Sequence, residues 1–213
     1  MKHRIQAIHK LTDCKFLNLY NLETIRRDGT NGQYQFASRS KHKRNLKLKT
    51  KENKPDGVII YSLYGEKRDK VVLIRQYRYP LDGYIYEFPA GLVEKNEDAL
   101  TSGIREFKEE TGLTLEPLCV PSCLSKPFFT TVGMTDESCA TIYGYSSGTP
   151  TNQFQEGSED IEIVIADKEE VHRILREENV AIMCAYMLMH FLEAEEGHAF
   201  DFLKTFSDKD DKQ

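Results

Sequence analysis

Short apolar runs bounded by turn residues dominate the chain, interrupted by three stretches of helical spacing. Leu22–Arg27 and Gln33–Ser38 have strand character, and Asp28-Gly29 with Asn31-Gly32 between them supply turn chemistry. Val58–Leu63 and Val71–Tyr77 are β-rich runs separated by the polar turn Tyr64–Lys70. Tyr84–Phe88 is a third short run, ended by Pro89. A long helical pattern runs from about Asp98 to Thr111. Leu115–Cys123, Cys139–Tyr145 and Ile161–Ala166 are further strand candidates, and Lys168–Glu178 and Ala181–Glu195 read as helices. Arg39–Lys54 is strongly basic and nearly free of acids, and Pro55-Asp56-Gly57 punctuates a boundary after it. The pattern divides the chain into a β-rich region 1–54, a main domain 55–206 and a charged tail 207–213 expected to fray.

Composition narrows the class. The 213 residues fit one compact domain with appendages or two small domains, and 39% hydrophobic with 30% charged residues is not a disordered composition. The formal net charge of −5 argues against a general drive to bind nucleic acid. Arg39–Lys54 remains open as a local anion patch or as a solvated strand or linker. No stretch approaches the eighteen or so apolar residues of a membrane span, and the basic segment Met1–Lys10 lacks the apolar core of a signal peptide. Five cysteines, an odd number with no CxxC pair, point to reduced thiols and a cytoplasmic protein. Cys119 and Cys123 with a distant histidine could mimic zinc ligands, but structural zinc sites use tighter spacing.

The chemistry concentrates in Gly91–Leu113, GLVEKNEDALTSGIREFKEETGL. Gly91 allows a sharp turn after Pro89-Ala90. Asn96 or Asp98 can cap a helix, and Gly112 suits its C′ position. Glu106, Glu109 and Glu110 stand at i, i+3 and i+4 and share one helix face, while Leu100, Ile104 and Phe107 form the neighbouring face expected to pack on a sheet. Three like charges so close repel one another. A solvated charged face is one reading; a hard divalent cation that neutralises them and takes their oxygens as ligands is the other. Gly103 inside the helix costs roughly 1 kcal/mol relative to alanine, which close approach of another element would explain.

This string resembles the Nudix box, Gly-x5-Glu-x7-Arg-Glu-U-x-Glu-Glu-x-Gly-U, at Gly91, Glu97, Arg105, Glu106, Phe107, Glu109, Glu110, Gly112 and Leu113. Seven of these are fixed identities, each with a frequency of about 1 in 15, so a chance match is on the order of one in 10⁸ per start point. Phe107 stands where an aliphatic residue is usual. The run Val72-Leu-Ile-Arg-Gln-Tyr-Arg78 and then Glu87-Phe-Pro-Ala-Gly91 is similar to the ADP-ribose and nucleoside diphosphate sugar pyrophosphatase branch. The resemblance implies an α/β fold of α+β type, a mixed β-sheet sandwiched between helices, with the small β-rich N-terminal region serving dimerisation and substrate binding.

The resemblance also implies an activity: Mg²⁺-dependent attack of water on phosphorus, splitting ADP-ribose into AMP and ribose 5-phosphate, with Mn²⁺ as a possible substitute. UDP-sugars or GDP-mannose are alternative substrates, and a non-catalytic nucleotide sensor is the alternative of another class. Glu106 and Glu110 would be metal ligands. Glu109 would be a further ligand or would position water, and the Ala90 carbonyl would complete the site. Glu97 and Arg105 would hold the box together with Gly112. Glu159 aligns with a second acidic metal-binding position, and Glu156 is the candidate general base, because Gly157 stands where some relatives carry it. Arg78 and Gly91 would meet substrate phosphates, and Tyr34 could stack on a base. The loop Thr130-Thr-Val-Gly-Met-Thr-Asp-Glu137 has Val132 where ADP-ribose pyrophosphatases usually carry proline, a form similar to some relatives acting on UDP-sugars. The implied partners are a small-molecule substrate and a second copy in a homodimer, with no membrane and no nucleic acid.

Overall fold

The structure is a computed structural model that describes residues 4–157 and 159–206; the tail 207–213 lies outside them. The strands are β1 Ile5–Lys10, β2 Asn18–Ile25, β3 Asn31–Ser38, β4 Gly57–Tyr64, β5 Lys70–Arg78, β6 Gly83–Glu87, β7 Ala90–Leu92, β8 Thr114–Pro117, β9 Phe128–Phe129, β10 Ser138–Ser147 and β11 Ile161–Ala166. The helices are α1 Lys47–Thr50, α2 Ala99–Thr111, α3 Ser122–Ser125, α4 Lys168–Glu177 and α5 Ile182–Glu193. Two compact units result: the residues up to Asp56 together with Pro127–Cys139, and Gly57–Lys126 together with Ala140 onward.

In the first unit β1, β2 and β3 form an antiparallel meander. Only Asp28-Gly29 turns the chain, with Gly29 at φ +87°; Asn31 and Gly32 already belong to β3. β1 lies in the segment the sequence marked only as basic. Ile8, Tyr20, Leu22 and Phe36 build a small core that also buries Leu46 completely. Leu46 explains why Arg39–Lys54 is neither strand nor open linker: its burial pins a 3₁₀ turn, Lys43–Asn45, and α1. The Lys47 ammonium donates to Asp56 Oδ2 at 2.7 Å and to the Ser138 hydroxyl. Residues 127–139 are stitched to β3 by the Ala37 N–H donating to Met134 O (2.8 Å) and by the Arg39–Glu137 pair (2.6 Å).

The second unit is built on a mixed sheet in the order β11-β5-β4-β10-β8, with β6 on β5 and β7 on β4. Strand alternation gives it two apolar faces. Tyr61 and Leu63 of β4, with Val71 and Leu73 of β5 and Tyr143 of β10, face a core shared with α4 and α5 through Val171, Ile174, Leu188 and Phe191. Val58, Ile60, Val72, Ala140 and Ile142 face the other way, onto Phe107 of α2 and Leu113. The sheet is therefore covered on both sides, α2 on one face and α4 with α5 on the other.

Two expectations are corrected. Leu100 and Ile104 do not pack on the sheet; they are 45% and 39% exposed. The packed face of α2 is Ser102, Gly103, Phe107, Glu110 and Thr111. Small residues let the helix come close: a Cβ on Gly103 would lie 2.9 Å from Ile142 Cγ1. Of Leu115–Cys123, only β8 is strand; Pro121 opens α3 instead.

Phe107→Ala is expected to cost about 3–5 kcal/mol in urea unfolding, and Leu100→Ala under about 0.5 kcal/mol. Equal costs would contradict the face assignment. All five cysteines are free, with Cys14 and Cys119 exposed. Burial, with Glu137 and Asp56 nearby, pushes the Cys139 thiol up to about 11, so at pH 8 only about one part in a thousand is thiolate. Mass-spectrometric alkylation at pH 8 should label Cys14 and Cys119 first and Cys139 only slowly.

Candidate active site

The site grows from the joint between β7 and α2. β7 pairs antiparallel with β4, Ile59 opposite Ala90 and Val58 opposite Gly91. The chain then turns, with Asn96 at φ +74° and the Asp98 carboxylate accepting from the Thr101 N–H at 2.8 Å. Asp98, not Asn96, is the cap, and it satisfies one of the helix's orphan donors. α2 ends at Gly112, φ +71°, where a Cβ would lie 2.7 Å from the Thr151 carbonyl oxygen. At Gly91 an added Cβ would overlap the Glu106 carboxylate, so the absence of a side chain there leaves room for Glu106.

Arg105 gathers the acids. Its Nη2 donates to Glu97 Oε2 (3.2 Å) and to the Leu92 carbonyl (3.4 Å). Its Nη1 reaches Glu106 Oε1 at 3.0 Å and Glu109 Oε2 at 2.9 Å. Glu97 also accepts from the Ser102 hydroxyl at 2.8 Å. Arg105 and Ser102 hold the Glu97 carboxyl below its ordinary range. One planar fork thus ties the β7–α2 loop to two turns of the helix, a role for which Arg is suited.

Glu110 is 3% exposed, and its Oε2 accepts the Ala90 N–H at 3.0 Å. Burial, then the negative charges of Glu159 and Glu106, raise its pKa well above the carboxylate range, against the pull of the Ala90 N–H and Arg78. Glu106 is raised as well, first by burial, then by Glu109 and Glu159, with Arg105 opposing. Among the described residues no three His, Cys, Asp or Glu side chains converge as a ligand group. Arg105 draws Glu106 and Glu109 to itself, and Glu110 turns to Ala90. The donor set is nonetheless all oxygen, and its two most buried carboxylates are under-compensated. A hard divalent cation fits that chemistry.

The other candidates have separate surroundings. Arg78 pairs with Glu87, Nε to Oε2 at 2.9 Å, and is about half exposed. Glu159 is half-buried, accepts the Glu156 N–H at 3.2 Å, and is close enough to raise both Glu106 and Glu110. Glu156 is exposed. Tyr34 belongs to the first unit, where its 45%-exposed ring donates its OH to Gly133 O at 2.6 Å. Gln155, which sequence reasoning missed, donates from Nε2 to the Glu110 carbonyl at 2.8 Å. A lone glutamine in a polar loop carries no signal in sequence; its meaning comes only from the helix end beside it.

A mixed sheet flanked by helices, with a glycine turn feeding a glutamate-rich helix, defines the class of fold. The chain is similar over 96% of its length, and over 95% of the other's, to a solved structure described as an ADP compounds hydrolase, with a TM-score of 0.63 at 12% identity. At that identity the likeness is one of fold. Residues 53–186 match the NUDIX domain model, and the chain belongs to the Nudix hydrolase family. It is 33% identical over 123 residues to a putative nudix hydrolase 2 of Caenorhabditis elegans, a match covering 55% of this chain and 54% of that one. It is 28% identical over 155 residues to an ADP-ribose pyrophosphatase of Saccharomyces cerevisiae, covering 70% and 62%. It is 35% identical over 83 residues to an ADP-ribose pyrophosphatase of Bacillus subtilis, covering 39% and 42%. The chain thus spans about half to three fifths of the lengths of the first two relatives.

The raised pKa of Glu110 has a consequence for stability. The native state keeps that proton at pH values where the unfolded chain, near 4.5, has lost it. The contribution of Glu110 to stability is therefore fully present below about pH 4.5 and is lost as pH rises through the native pKa. Glu110→Gln removes this decline. In chelator at pH 8 its Tm should exceed that of the wild type, with the gain shrinking to nothing near pH 4.5. A Tm difference independent of pH would contradict the assignment.

Proposed function

We propose that this protein is a divalent-metal-dependent pyrophosphatase that hydrolyses ADP-ribose or a related nucleoside diphosphate sugar. The observation that carries the reading is the pair Glu106 and Glu110: one half-buried and one buried carboxylate, both under-compensated, on one helix face beside the Ala90 turn. Mg²⁺, or Mn²⁺ in its place, would be held by Glu106, Glu110, Glu109, Glu159 and the Ala90 carbonyl. When bound it would neutralise charge building on the phosphoryl oxygens.

The chain's own groups supply the rest. Arg105 and Glu97 fix the acids on the loop and helix. Arg78 has N–H donors beyond those given to Glu87 and would orient a substrate phosphate. Gly91, whose missing side chain makes room for Glu106, would present its backbone to the pyrophosphate. Glu156, exposed on the loop that also carries Glu159, would take the proton of the attacking water. One P–O bond forms, one breaks, and two monophosphates leave. Tyr34 and the Thr130–Glu137 loop share a compact unit and are candidates for base and sugar recognition.

ADP-ribose is favoured by the names of the yeast and Bacillus relatives. Val132 in place of proline favours a UDP-sugar as the second reading. A nucleotide sensor without turnover fits less well, because the whole acid set is present. The β-rich N-terminal region would pair two copies in a homodimer. Free thiols suit a reducing cytoplasm, and no helix among the described residues is long and apolar enough to cross a membrane.

The test is a product assay on ADP-ribose, UDP-glucose, GDP-mannose, NADH and a dinucleoside polyphosphate, with Mg²⁺ or with EDTA. AMP and ribose 5-phosphate that vanish in EDTA are expected. Glu106→Gln and Glu110→Gln should each lower kcat by orders of magnitude with unchanged circular dichroism. Wild-type rates in either variant would contradict the site.

A further inference from the structure

The last carbonyls of any α-helix have no partner within it. In α2 the C-cap meets one of them and a distant loop meets two more. Gly112 N–H takes the Lys108 carbonyl at 2.9 Å, Thr151 N–H takes Thr111 O at 3.0 Å, and Gln155 Nε2 takes Glu110 O at 2.8 Å. The last two come from one loop, the segment that leads to Glu156 and Glu159. Phe154 of that segment lies under the Lys108 ammonium, 5.1 Å from ring centre to Nζ. Gly112 has no side chain to fend off Thr151. Beyond Gln155 the loop closes on itself: Glu156 N–H donates to Glu159 Oε2 at 3.2 Å, and Glu159 N–H donates to Glu156 O at 3.0 Å.

We infer that Gln155 is a positioning residue: its side-chain amide latches the acidic loop to the C-terminal turn of α2 and so sets where Glu156 and Glu159 stand relative to Glu106 and Glu110. The inference rests on the pyrophosphatase reading for its effect on catalysis, and on geometry alone for the latch. The Glu110 residue is shared by both halves of the device. Its side chain belongs to the acid site, and its main-chain oxygen is the anchor for the loop. A displacement of the loop by about 1 Å is enough to lower a rate on the order of a hundredfold.

Two variants separate donor from packing. Gln155→Ala removes the side chain; Gln155→Glu keeps its size but cannot donate to the carbonyl. Hydrogen exchange in chelator reads the latch without turnover. The Glu156 and Glu159 amides should exchange about fivefold faster or more in both variants, with the Thr151 amide unchanged, as loss of one hydrogen bond implies. With metal and substrate, kcat should fall about ten- to a hundredfold while KM stays within about twofold. Unchanged exchange in both variants would overturn the latch. Faster exchange with wild-type kcat would overturn the positioning role. Wild-type behaviour of Gln155→Glu alone would show packing, not donation, and would also overturn it. Absence of turnover in the wild-type protein would sink the pyrophosphatase reading, and the exchange arm would still decide the latch.

Discussion

A carboxylate that is 3% exposed needs compensation, and at Glu110 a single backbone N–H, that of Ala90, supplies most of it. Much of the second unit is arranged so that this contact exists. β7 must pair with β4 to hold Ala90 in place, and α2 must sit close to the sheet to bring Glu110 to it. That closeness depends on Ser102 and Gly103 facing the sheet, with Phe107 filling the space below them. The apolar face of the helix and its chemical face therefore overlap, and Glu110 belongs to both.

The remaining acids are organised by contrast rather than by burial. Glu97, Glu106 and Glu109 share Arg105, a single guanidinium with three carboxylate partners. The positive charge offsets part of their repulsion but not all of it, since Glu106 is still raised. A protein selected only for stability would replace such a cluster, because buried charge is costly even when paired. Under-compensated acids of this kind are what the proposed cation site would use.

The local geometry of the candidate site was legible in sequence where covalent spacing alone decides it. The i, i+3, i+4 placement of Glu106, Glu109 and Glu110, a cap at Asn96 or Asp98 and the stop at Gly112 all follow from local rules; the structure chooses Asp98. Strands such as Ile161–Ala166 were legible for the same reason. The rest depends on contacts distant in sequence. Leu100 and Ile104 look like core by hydrophobicity, but Gly103 and Ser102 decide which face approaches the sheet. β1 lies in a segment whose charge hides its alternation. Leu46 orders the basic run only because Ile8, Tyr20, Leu22 and Phe36 wait for it. Residues 127–139 join the first unit through partners such as Arg39 and Glu137, 98 residues apart. Gln155 matters only because a helix ends beside it.

The central claim is that Glu106 and Glu110 are kept under-compensated for a divalent cation. Calorimetric titration of metal-free protein with Mn²⁺, in buffers of differing ionisation enthalpy at pH 6.5, tests it most directly. The account predicts binding accompanied by net proton release, because the cation displaces the proton that burial favours on the Glu110 carboxyl. It also predicts that Glu110→Gln weakens binding and lowers the proton count. Mn²⁺ binding that is absent from the wild type, or unchanged in affinity and proton count in the variant, would contradict it.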